Sequence, residues 1–126
     1  MKRLWLSIGI LIFLLAATMA NTWAIERITG QLSDLLLQAE ALADSGDWSQ
    51  AESLTRQALE RWNSSTDYLY TVLRHADTDA VNTGLQEVLE LICCQEPGEY
   101  ASSNARLLAQ IHLLAEMERL NLKNLL

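Results

Sequence analysis

The chain has 126 residues, half of them hydrophobic, with one proline, five glycines and a formal charge of −7. Removing Lys2 and Arg3, which precede the first apolar stretch, leaves −9 on the remainder. That surplus of carboxylates argues against nucleic-acid binding or a charge-driven grip on anionic membrane surfaces. The scarcity of turn residues points away from sheets, to an all-α protein.

The chain opens with MKRLWLSIGILIFLLAATMANTW, uncharged from Leu4 to Ala20. Seventeen apolar or small residues lie at the short end of a membrane span and are long for the core of a signal peptide. Trp5 and Trp23 bracket the run. Eighteen residues of helix rise about 27 Å, so the two indoles would reach opposite interfaces of a bilayer. Lys2 and Arg3 predict a cytoplasmic N-terminus with the rest of the chain outside. A cleaved signal peptide is the competing reading, since Thr18-Met19-Ala20 offers small residues where a signal peptidase cuts. The expected division is therefore an anchor or signal at 1–21 and a helical domain at 22–126.

A first domain helix is expected from about Thr22 to Ala43, its stripe formed by Ile28, Leu32, Leu35, Ala39 and Leu42, widened by Ile25 and Leu36. Gly46 supplies a left-handed cap, and Asp47 caps the next helix. That second helix places Trp48, Ala51, Thr55, Ala58 and Trp62 on one face, with Leu54 and Leu59 beside them. Asn63-Ser64-Ser65 ends it. A third helix is expected over 66–94, with Leu69, Leu73, Ala76 and Ala80 followed by Val81, Leu85, Val88 and Ile92. The line slips by one position between 76 and 81, which predicts a slight bend. Gln95-Glu96-Pro97-Gly98 is the clearest turn, and a fourth helix follows to about Asn124 on Leu107, Leu108, Ile111, Leu114 and Ala115.

Short connections make an antiparallel, up-down-up-down bundle on an N-terminal transmembrane helix. A three-helix bundle with the first helix as a stalk is the alternative. Gly46-Asp47-Trp48, Ala51, Ala58 and Leu59 give the first hairpin a tetratricopeptide-like look, because alanines at those positions let two helices approach closely. No second copy follows in residues 64–126, so a peptide-binding array is not expected. Cys93 and Cys94 are adjacent, which disfavours a bridge between them, and two cysteines alone make neither a zinc cage nor a CxxC pair. Buried thiols are the expectation, with an intermolecular disulfide as the other reading.

Polar residues interrupt the apolar lines of the third and fourth helices. If the hairpin turns near residue 96 or 97, His75 lies level with Glu118 and Asp79 nearly level with His112. These four could form a polar network between the helices, serve as exposed ion pairs, or sense a ligand, metal or pH. Neither histidine has a glutamate three residues before it, as di-metal bundles require, so no metal or cofactor is expected. No nucleophile–base pair or phosphate loop points to an enzyme. Leu122, Leu125 and Leu126 would return to the membrane end, where a membrane-protein partner or a second copy could meet them.

The N-terminal span, the Trp48-x-x-Ala51 and Leu59-x-x-Trp62 helix, the His75-x-Asp77-x-Asp79 run, and the closing Glu118 with Leu122-Lys123-Asn124-Leu125-Leu126 together resemble small bacterial membrane proteins of domain of unknown function 4363. The resemblance covers nearly the whole chain. Thr78 stands where that family's run usually carries an apolar residue. What it implies is a membrane-anchored helical protein without an established activity, and it supplies no catalytic residue. The expected role is a structural or protein-interaction module outside the cytoplasmic membrane.

Overall fold

The computed structural model describes residues Met1–Leu125, apart from the side chains of Val72 and Leu125. Five helices account for nearly all of it: α1 Lys2–Asp44, α2 Trp48–Ser64, α3 Thr66–Val72, α4 His75–Cys94 and α5 Pro97–Leu125. No strand occurs among the described residues. Helices α1, α2, α4 and α5 form a ring in which each packs on the next and α5 closes back onto α1. This is the antiparallel bundle expected, with α3 as a short crossing piece at one end.

The expected stripes of α1 and α2 make the core. Ile25, Leu32, Leu36 and Ala39 of α1 are completely buried, as are Ala51, Thr55 and Ala58 of α2. Alanine carries no side chain beyond Cβ, so these positions bring the two helix axes close. The Thr55 hydroxyl donates to the Ala51 carbonyl at 2.9 Å, which makes a buried threonine tolerable there. Trp62 fills the core near one end, and at the other Trp48 meets Tyr100 edge-on at 5.8 Å. Gly46 turns the chain with φ 87°, and Asp47 Oδ1 accepts the Gln50 amide at 3.2 Å, as capping chemistry predicts.

The third predicted helix is in fact two. Leu73 and Arg74 adopt extended conformations and separate α3 from α4. The one-position slip visible in the sequence has this origin, but the chain resets earlier and more sharply than a bend at 76–81. Extending the α3 line of Ser65, Leu69 and Leu73 would bury Ala76 and Ala80, yet both are exposed. The core line of α4 is instead Thr78, Val81, Leu85, Val88 and Ile92. Thr78 fits this line because its hydroxyl donates to the Arg74 carbonyl at 3.1 Å. The cysteines also depart from expectation. Cys93 and Cys94 are both free and exposed, since the α4 core line ends one residue before them at Ile92. Partial desolvation, then the Glu52 carboxylate, raises the Cys93 thiol pKa above its ordinary value.

α4 and α5 come close together at Gly84, where an added Cβ would stand 2.8 Å from Leu107 Cδ1. The α4–α5 turn runs through Gln95, left-handed with φ 54°, and Pro97 opens α5 without needing an amide hydrogen. Two substitutions test these junctions by chemical denaturation. Gly84→Val should cost about 2 kcal/mol by overpacking against Leu107, and Leu107→Ala in the same chain should recover part of that loss. Gln95→Gly should raise stability by about 0.5–1 kcal/mol by removing a strained left-handed residue.

Candidate functional site

The end of the bundle nearest residue 20 brings charged, aromatic and apolar side chains together. Thr22 is the first buried residue of α1, and the large apolar residues from Leu4 to Leu15 touch nothing of the bundle. One turn above Thr22, the Arg119 guanidinium of α5 binds the Glu26 carboxylate of α1. Arg27 lies over the Trp23 ring, 5.4 Å from its centroid. The Tyr68 hydroxyl of α3 donates to the Asn21 side-chain carbonyl. These contacts fasten α1, α3 and α5 together where the apolar segment ends. Leu122 is half-buried in a groove beside Met19 and Trp23. Leu126 and the Leu125 side chain lie outside the described residues.

The structure distributes the four residues expected to form a network. His75 stacks on Tyr70, with ring centroids 4.7 Å apart and planes at 26°. The Tyr70 hydroxyl donates to Asp79 Oδ1 at 3.0 Å, and that hydrogen bond raises the tyrosine's pKa. Tyr70 therefore joins His75 to Asp79 and latches α3 onto α4 across the Leu73–Arg74 break. His112 lies in the groove between α5 and α1, beside Gly30 and Ser33, and its Nε2 faces Glu116 Oε1 of its own helix at 3.6 Å. Glu118 occupies a different groove, with Leu73, Arg74 and Asp77. Partial burial raises its pKa above the ordinary carboxylate value.

Among the described residues no hydrogen bond or ion pair joins His75 to Glu118 or Asp79 to His112. Helical rise correctly sets comparable heights for α4 and α5: Glu87 accepts from Ser103 at 3.2 Å, and Asp77 lines the same groove as Glu118. Height does not fix azimuth. Six residues of α5 rotate Glu118 well away from His112, so the two face different neighbours. Tyr70 was not singled out in the sequence. Its only signal is its place in a Tyr-rich segment just before the phase slip.

No three side chains among His, Cys, Asp and Glu converge as a metal site among the described residues. A family profile described as a domain of unknown function, DUF4363, matches residues 20–125. The chain belongs to this family. No curated protein and no solved structure matches it. The DUF4363 match takes in the whole helical ring and begins within α1, two residues before its first buried position.

The raised Glu118 pKa has a definite sign for stability. Folding disfavours the carboxylate, so the native state gains relative stability below the ordinary value of 4.5 and loses it as pH rises through the raised folded value. Glu118→Gln should therefore melt at a higher temperature than the parent at neutral pH. The two melting curves should converge in acid below the ordinary carboxylate value. A parent melting temperature that is equally far below the variant's at every pH would contradict this.

Proposed function

We propose that the chain is a membrane-tethered helical module that acts through protein contacts outside the cytoplasmic membrane. Residues 4–20 cross the bilayer, the N-terminus stays cytoplasmic, and the bundle serves as a structural part or accessory subunit of a larger membrane protein, or as a homo-oligomer. The observation that carries this is the undivided α1. It is the one described helix long and apolar enough to span a membrane. Ten large apolar side chains between Leu4 and Leu15 are exposed on it. At roughly 1.5 kcal/mol or more each, leaving them in water forfeits about 15 kcal/mol, as much as the entire stability of a typical domain. A bilayer removes that deficit.

Trp5 and Trp23, 73% and 62% exposed, have the spacing of interface anchors. The uninterrupted helix from Lys2 into the core supports an anchor that is retained. Leu37, Leu113 and Leu120 are large apolar residues exposed on the bundle itself, and they offer a partner more contact than the acidic faces do.

Intact mass of the protein extracted from membranes, together with C-terminal topology reporters, tests the tether. The full chain should be recovered from carbonate-washed membranes, with an extracytoplasmic C-terminus. Recovery of a soluble product lacking residues 1–20 would sink it. Detergent pulldown with and without residues 122–126 tests the role of the C-terminal leucines. Identical partner lists would remove them from the interface.

A further inference from the structure

The groove holding Leu122 has a volume of about 370 Å³, within the range of small-ligand sites, and its lining is part apolar and part charged. Met19, Trp23 and Leu122 are its apolar lining, and Glu26, Arg119 and Lys123 its charged lining, with Met19 on the side of the apolar segment. The Glu26 carboxylate already engages Arg119, Glu116 stands 4.0 Å from its other side, and Lys123 makes no ion pair among the described residues. Arg27, over the Trp23 ring, adds a further positive charge close by. In a domain with net charge −9, this is a local reversal of sign, lying at the edge of the apolar segment.

An occupant must be apolar toward residue 19, anionic toward residue 123, and present at one depth. A phospholipid with a net negative headgroup meets all three conditions at the level where Trp23 marks the interface. We propose that this groove holds one anionic phospholipid, its phosphate against Lys123 and the outer edge of Arg119, and a chain descending along Met19 and the span. The site rests on the reading of residues 4–20 as a membrane span. It would orient the bundle on the bilayer and give the tether a lipid preference that overall charge alone would oppose.

The test uses the full chain carrying Trp5→Phe, in phosphatidylcholine vesicles with a fixed minor fraction of phosphatidylglycerol. Trp48 and Trp62 remain packed in the bundle and supply a background common to all samples. In parallel samples one lipid or the other carries brominated acyl chains, which quench nearby indoles. Trp23 should be quenched about fivefold more per molecule by the brominated phosphatidylglycerol, the preference conferred by one unpaired cation near the surface. Lys123→Gln should bring that ratio close to one. Glu26→Gln, which removes the nearer of the two carboxylates on Arg119 and leaves Glu116 at 4.0 Å, should raise it. A merely structural role for these residues would not move the ratio in opposite directions.

Equal quenching by both lipids in the parent overturns the lipid site and leaves the tether intact. Absence of quenching by either overturns the tether as well. A preference that survives Lys123→Gln, or falls in Glu26→Gln, also overturns the site. Equal quenching together with a membrane protein that copurifies with the parent and is lost from Lys123→Gln reassigns the groove to protein contact.

Discussion

From Lys2 to Asp44 a single run of backbone hydrogen bonds continues without a break, although the surroundings of the helix change completely along it. From Leu4 to Ala17 the side chains are apolar on nearly every side and all of them are exposed. From Thr22 onward only one stripe is buried, beginning with Ile25 and Ile28. The amphipathic half fixes where α2 and α5 can sit, because both must cover that stripe. The position of every other helix depends on this change of partner within one rigid rod. Small residues set the spacing: Ala39 and Ala43 on α1 and Ala51 and Ala58 on α2 bring the first pair together closely. α4 and α5 achieve the same closeness through Gly84.

The bundle is held by burial, and its polar contacts mainly choose among possible arrangements. Arg61 reaches Gln31 at 2.7 Å, Cys93 leans on Glu52 at 3.7 Å, and Asn104 donates to the Leu36 carbonyl at 3.3 Å inside the core. Exposed ties of this kind contribute little to stability. A buried amide is different, because a shifted register would strip it of its partner. Asn104 thus serves to fix how α5 lies against α1.

Sequence periodicity revealed the helices with repeating stripes because burial recurs at the helical period whatever the partner. The stripe of α2, with Ala51, Thr55, Ala58 and Trp62, was legible in this way, as were the caps at Gly46 and Asp47. The break at Leu73–Arg74 was hidden because neither residue is a helix breaker. Only the change of phase afterwards betrayed it, and a phase change fits either a bend or a new start. The base of the bundle was less legible still. Arg119 meets Glu26 from 93 positions away, and Tyr70 finds Asp79 across the break. Such pairs depend on azimuth after packing, a quantity that matched heights along two helices do not contain. The cysteines were misplaced by a single residue of the same rotation.

The absence of a loop between the apolar segment and the core has a mechanical side. The bundle cannot swivel independently of α1, so any inclination of the first twenty residues is transmitted to the Gly46 turn. The bundle portion of α1 is about 33 Å long, and a tilt of about 20°, common for helices in bilayers, would displace that turn sideways by about 11 Å. Bilayer thickness, or a neighbour pressing on the apolar segment, would then be expressed as a lateral swing of the acidic tip. With residues 4–20 in a bilayer, as proposed, the molecule would work as a lever with its fulcrum at Trp23.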